Sequence, residues 1–163
     1  MARPASRLAP LGPLGFGAML LACTPSTSTR PPTHEALVNH HLQGKYGEVL
    51  TWCPRFIDDP GAEPGVSDWC LFAYPAAMRL SLDTEGALSF VRAMCRDFAG
   101  QPQGDEAFRE LYVAETARWF ALPMRLQKQD AQLVRAVASA VEDFGEACAV
   151  DSERVLPRVD TDL

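Results

Sequence analysis

Five cysteines are the residues of this 163-residue chain that are best suited to chemistry. They are Cys23, Cys53, Cys70, Cys95 and Cys148. No two have the Cys-x-x-Cys spacing of a thiol redox centre or a zinc knuckle. Four cysteines downstream of an export segment would form two disulfides, with three possible connectivities. We favour Cys53–Cys70, which closes a Pro/Gly-rich loop, and Cys95–Cys148, which joins the last long helix to an earlier one; the alternative is four free cysteines packed as small apolar residues.

Histidines and carboxylates give no catalytic or metal-binding pattern. The histidines are His34, His40 and His41. His34 and His41 share a helix face while His40 points elsewhere, whereas metal ligands on one helix usually sit four residues apart. We therefore expect exposed polar positions near a helix start. The adjacent acidic pairs, 58–59 and 142–143, are typical of solvated faces, and no serine lies in Gly-x-Ser-x-Gly. The sequence predicts neither enzymatic activity nor a metal or cofactor.

The first 22 residues have the form of an export signal. Arg3 and Arg7 precede an apolar run from Leu8 to Ala22, with no acidic residue. That run is too short for a permanent membrane span. The sequence Leu20-Leu21-Ala22-Cys23 resembles the bacterial lipobox. The resemblance implies cleavage after Ala22 and attachment of acyl chains, palmitate among them, to Cys23, which would anchor the chain to a membrane. It also implies an outer-membrane lipoprotein facing the periplasm, because Thr24 replaces the Asp that retains enteric lipoproteins in the inner membrane.

The rest of the chain divides into a tether, a domain and a tail. Residues 23–33 are rich in Ser, Thr and Pro and bury nothing, which is typical of an extended linker. We expect a helical domain over 34–150 and a flexible, charged C-terminal tail over 151–163. Removal of residues 1–22, which hold two of the 15 basic and none of the 21 acidic residues, leaves 13 basic against 21 acidic, a net charge of −8. Such an acidic domain is unsuited to nucleic acid.

Apolar residues at intervals of three and four predict an all-α fold of about three helical hairpins, either a solenoid or an irregular bundle. Thr33 and Asp83 or Thr84 are predicted N-caps, with a break near 43–47. Ser67 is a further candidate cap, although Pro75 favours a helix start there instead. Pro54 is expected to kink or end its helix, and Pro123 to interrupt another. Residues 100–104 are expected to end a helix, and Asp105 and Asp130 to cap the two that follow.

Residues 44–50, Gly-Lys-Tyr-Gly-Glu-Val-Leu, resemble the turn and second-helix start of a tetratricopeptide repeat. Residues 83–88 give a poorer match, and the Trp-x-x-Leu-Gly of a first repeat helix is absent. The resemblance covers about 34–98 and implies a helical repeat without identifying a ligand.

These observations lead to a functional hypothesis without a catalytic centre. We expect a lipoprotein that acts as an interaction adaptor or assembly factor in the cell envelope, with an accessory or immunity lipoprotein for a secreted toxin as the alternative. Phe90, Met94 and Phe120 lie off the principal apolar stripes, so they are the candidate partner-binding residues. The partner would be an unidentified envelope protein.

Overall fold

The computed structural model describes residues 30–59, 61–63, 65–99, 106–127 and 131–160. These residues form seven helices and no strand, which confirms the all-α prediction for this part of the chain. The helices are α1 (His34–Leu42), α2 (Tyr46–Ile57), α3 (Val66–Leu80), α4 (Thr84–Ala99), α5 (Glu106–Gln127), α6 (Ala131–Cys148) and α7 (Ser152–Asp160). The predicted boundaries at 100–105 and at Asp130 lie outside the described residues.

The first six helices pack as three hairpins, α1 with α2, α3 with α4, and α5 with α6. Helix α5 also contacts α3, α7 and α1. In a solenoid each repeat contacts only its neighbours, whereas here the first hairpin reaches the third through α1 and α5. The arrangement is therefore an irregular helical bundle.

Local capping explains several helix starts. The Thr33 hydroxyl accepts a hydrogen bond from the Ala36 N–H at 3.2 Å, and the Asp83 carboxylate accepts one from the Gly86 N–H at 3.0 Å, as predicted for both caps. Ser67 is not a cap, because α3 begins one residue earlier, after Gly65. Gly65 has φ of 85°, a left-handed conformation that glycine adopts without strain.

Four prolines of the described residues lie inside helices, namely Pro54, Pro75, Pro123 and Pro157. The predictions that a helix begins at Pro75 and that another is interrupted at Pro123 are wrong, and α2 does not end at Pro54 but continues to Ile57. A helical proline lacks the N–H that would bind the carbonyl four residues earlier. For Pro75 that carbonyl belongs to Leu71, and it accepts a hydrogen bond from the Tyr112 hydroxyl at 3.1 Å.

For Pro123 the freed carbonyl belongs to Trp119, and it lies 2.7 Å from the ring nitrogen Nε2 of His41. In both cases a side chain from another helix replaces the missing backbone donor. Tertiary contacts therefore let α3 and α5 continue through a residue that usually ends a helix.

Two apolar clusters make up the core. The first involves α1, α2 and α3, and the second lies mainly among α3 to α7. Trp119 of α5 packs against both clusters. It thereby joins the first hairpin to the rest of the bundle.

The C-terminal segment is not a free tail over residues 152–160, where it forms α7. Val155 and Val159, four residues apart, are buried in the larger cluster. The prediction of a flexible tail gave more weight to the charged composition than to this pair, which shares one helix face. Residues 161–163 lie outside the described part.

Candidate functional site

The cysteines pair as Cys53–Cys70 and Cys95–Cys148, which confirms the favoured connectivity. Their Cα atoms are 5.2 Å and 5.3 Å apart, within the range of protein disulfides. The first bond joins α2 to α3 across the Pro/Gly-rich loop, and the second joins α4 to the end of α6. All four cysteines are buried, which suits bonds that stabilise the fold.

Cys23 and the whole lipobox-like sequence lie outside the described residues. Within the described residues, no helix has the length and apolar character needed to cross a membrane.

Phe120 was predicted to be a partner-binding residue, and the structure contradicts this. Its side chain is only 6% exposed and belongs to the larger core cluster. The Arg79 guanidinium lies 5.6 Å from its ring centroid and covers it from the α3 side. The prediction treated α5 as a helix with one apolar stripe. Because α5 packs against four other helices, residues on more than one of its faces are buried.

Phe90 and Met94 lie one turn apart on α4 and are both half-buried. The Phe90 ring meets the Tyr74 ring of α3 edge-on, with centroids 5.1 Å apart. Met94 packs along the larger core cluster. These three residues form a partly exposed strip on the α3–α4 hairpin, called here the α3–α4 apolar strip. Of the candidate residues, Phe90 and Met94 are partly exposed on this strip, and Phe120 does not join them.

His41 is a core residue, so the expectation of exposed histidines is wrong at this position. The side chain is 0% exposed. Tyr46, Trp69 and Trp119 surround the imidazole, with ring centroids 5.6, 6.0 and 5.8 Å away. Since the Trp119 carbonyl can only accept, Nε2 carries the proton in the 2.7 Å hydrogen bond. The other nitrogen, Nδ1, is buried and has no hydrogen-bond partner among the described residues.

Burial lowers the pKa of His41 from its ordinary value, and the hydrogen bond to the Trp119 carbonyl opposes part of that shift. The site therefore favours a neutral ring. A sequence signal for this arrangement did exist: Pro123 requires a donor for the carbonyl of Trp119. The sequence alone does not say which side chain supplies the donor.

A second buried polar group was missed altogether. Glu110 of α5 is 0% exposed, and its two carboxylate oxygens lie 2.9 Å from Arg154 and 3.1 Å from Arg158 of α7. Arg154 also pairs with Glu106 at 2.7 Å. The sequence pattern that could have indicated this contact is the spacing of Arg154 and Arg158. They lie four residues apart on one face of a helix that also carries buried valines. This ion-pair group fixes α7 on α5.

The acidic loop between α2 and α3 borders an open depression of about 670 Å³. Asp58, Asp59, Glu63 and Asp68 line it, and the Asp59 side chain accepts a hydrogen bond from the Gly61 N–H at 2.8 Å. Among the described residues, no three His, Cys, Asp or Glu side chains are arranged to hold a metal ion. Of the other acidic pair, Asp143 binds Arg79 at 2.5 Å, so it is part of an α3–α6 contact and not a simple solvated group.

No family model, curated protein sequence or solved structure matches this chain.

Proposed function

We propose that this chain is a bacterial lipoprotein, anchored through acyl chains on Cys23, whose helical domain acts as a non-enzymatic adaptor or assembly factor in the cell envelope. The sequence Leu20-Leu21-Ala22-Cys23 carries the proposal, since an apolar run with a basic start precedes it and a Ser/Thr/Pro tether follows it. The anchor belongs to the outer membrane, with the domain facing the periplasm.

The bonded cysteines support an exported location, because disulfides persist in oxidising compartments. The described domain suits the role of a rigid interaction module. Its two disulfides hold α2 on α3 and α4 on α6, and its ion pairs hold α7 on α5. A partner would meet a preformed surface and pay little ordering entropy.

The α3–α4 apolar strip is the docking surface in this proposal. Phe90 and Tyr74 offer aromatic contact area, and Met94 adds a flexible apolar side chain that adapts to a partner. Membrane anchoring raises the effective concentration of the domain near other envelope proteins, so modest affinity is sufficient. The partner class is an envelope protein that presents an apolar helix or peptide.

The anchor is tested by intact-mass measurement of the membrane form without reductant, in parallel with Cys23→Ser. We expect the wild-type chain to begin at Cys23 with added acyl mass, and Cys23→Ser to retain the signal and lose that mass. A membrane form that keeps Met1 and carries no acyl mass would end the lipoprotein proposal.

The adaptor role is tested with a photo-crosslinking amino acid at position 90 in living cells, followed by capture through a C-terminal tag. The same probe at Arg135, exposed on α6, is the matched control. We expect an envelope protein to be captured from position 90 only. A single toxin-like product would support the accessory or immunity role instead. Equal crosslinked products from positions 90 and 135 would show that the α3–α4 apolar strip is not the docking surface.

A further inference from the structure

The hydrogen bond between His41 and Trp119 is a direct polar link from α1 to α5. It supplies the donor that Pro123 cannot, and it depends on a ring whose second nitrogen is buried without a partner among the described residues. Protonation at Nδ1 would place a positive charge among three aromatic rings. The new N–H would have no hydrogen-bond acceptor among the described residues. Burying a charge without a hydrogen-bond partner is costly.

We propose that His41 is an acid-sensitive latch that holds α1 on the bundle while its ring is neutral and releases α1 when the ring gains a proton. Such a latch is a property of the helical bundle and would operate with or without the anchor and the adaptor role.

Helix α1 is the element best placed to open. It is only nine residues long, and Leu37 and His41 are its two buried residues. An isolated helix of this length has little stability of its own, so its order depends on packing. Helix α2, its hairpin partner, is held on α3 by the Cys53–Cys70 disulfide, so opening would stop at the turn before Tyr46.

Other groups around the ring do not replace the latch in acid. Tyr46 of α2 is neutral there, since burial raises the pKa of its phenol further above 10.0. Trp69 and Trp119 do not titrate. The charged neighbours of Trp119 on α5 are Glu115 and Arg118, which pair with each other at 3.6 Å.

His34 of α1 also borders this cluster. It is half-buried, with its ring 5.6 Å from that of Trp69, and it lies on the same helix as His41. A substitution at His34 therefore separates the latch from a general effect of histidine charge on α1.

The sign of the effect follows from linkage. The pKa of His41 is lower in the closed form than its ordinary value of 6.5, so the open form binds the proton more tightly. The latch is fully effective above pH 6.5. The free energy by which the latch favours the closed form falls as the pH drops from 6.5 to the pKa of His41 in the closed form. Below that pKa it does not fall further. One proton changes the opening equilibrium by at most about tenfold per pH unit.

Hydrogen exchange measured from pH 7.5 to 4.5 tests the latch on the chain as it accumulates in the producing cell, purified without reductant. After correction for intrinsic exchange, we expect protection of the α1 amides to fall by up to about tenfold per pH unit below 6.5. The amides of α6 should keep their protection. Protection of α1 that does not change with pH would overturn the proposal.

The double substitution His41→Leu with Pro123→Ala is the designed control. Leucine removes the titrating ring, and alanine restores the backbone donor to the Trp119 carbonyl. We expect its α1 protection to be independent of pH, while His34→Gln retains the dependence of the wild type. An unchanged pH dependence in the double variant, or its disappearance in His34→Gln, would refute the latch.

A measurement on the wild type keeps the proposal testable if the double variant does not fold. The ring resonances of His41 should remain those of a neutral ring at pH 6.5 and titrate only below it. Titration at or above pH 6.5 in the folded chain would also refute the latch.

Discussion

The hydroxyl of Tyr112 stabilises a carbonyl that a proline has left without its helical donor, and this can be measured as a coupling energy. Tyr112 is 1% exposed, and its hydroxyl donates to the Leu71 carbonyl at 3.1 Å. The substitution Tyr112→Phe keeps the ring and removes only that donor. A part-buried carbonyl left unpaired costs about 1–2 kcal/mol, so we expect a loss of unfolding free energy of that size.

The decisive comparison is the same substitution in a Pro75→Ala background. Alanine supplies the N–H that binds Leu71 within the helix, so Tyr112→Phe should then cost about 0.5 kcal/mol or less. Urea unfolding of the four chains of this cycle, without reductant, gives the coupling, expected to be about 1 kcal/mol.

The matched control is Tyr112→Phe in a Pro123→Ala background. Pro123 frees the carbonyl of Trp119 and not that of Leu71, so the full cost of losing the hydroxyl should remain. If Tyr112→Phe costs the same with proline at position 75 as in the Pro75→Ala background, within about 0.3–0.5 kcal/mol, the hydroxyl does not compensate for the proline.

Other predictions follow from the buried contacts. Phe120→Ala should lower the free energy of unfolding by about 3–5 kcal/mol, against less than half of that for Phe90→Ala; equal losses in urea unfolding would contradict the assignment of Phe120 to the core. Disruption of Cys95–Cys148, which closes a separation of 53 residues, should cost about 4 kcal/mol against about 3 for Cys53–Cys70 at 17, measured with paired Cys→Ala variants; the reverse order would show that loop closure does not dominate. Glu110→Met should cost less than removing both arginines that pair with it, because the second change leaves a buried carboxylate alone; thermal unfolding of the two variants compares them, and a greater loss for Glu110→Met would contradict this reasoning. Gly47→Ala should stabilise the chain by about 0.4–1 kcal/mol, since an added Cβ meets nothing within 4 Å in α2; a loss in thermal unfolding would refute this.

The helical class and much of the helix order could be predicted from the sequence because they depend on local signals. Thr33 and Asp83 bind N–H groups three residues away, and their residue types alone indicate that role. The favoured disulfides also followed from local features, a Pro/Gly-rich loop in one case and the last long helix in the other.

The predictions that were wrong depend on partners distant in the sequence. Pro75 and Pro123 have the local character of helix boundaries, and only donors from α5 and α1 make them acceptable inside helices. Likewise, the charged segment after residue 150 is ordered because its Arg154 and Arg158 form ion pairs with Glu110, more than 40 residues earlier. A single apolar stripe on α5 predicts an exposed Phe120, whereas α5 packs against four other helices and buries it.

If the proposed latch and the proposed anchor both hold, they have a joint consequence for the position of the domain. The tether that precedes Thr33 leads directly into α1, which spans about 14 Å as a nine-residue helix and about 30 Å when extended. Release of α1 in acid would therefore lengthen the connection to the membrane and uncover the aromatic faces of Trp69 and Trp119. The Cys53–Cys70 bond would keep the rest of the first hairpin in place. In a test variant, an engineered disulfide bonds α1 to α5. This variant should retain its anchor and its partner capture at neutral pH, but its reach, the distance from the membrane to the domain, should not change between pH 7 and 5. Energy transfer from the membrane surface to a label on α6 measures that distance. A change in reach that persists in the bonded chain would locate the acid response outside α1.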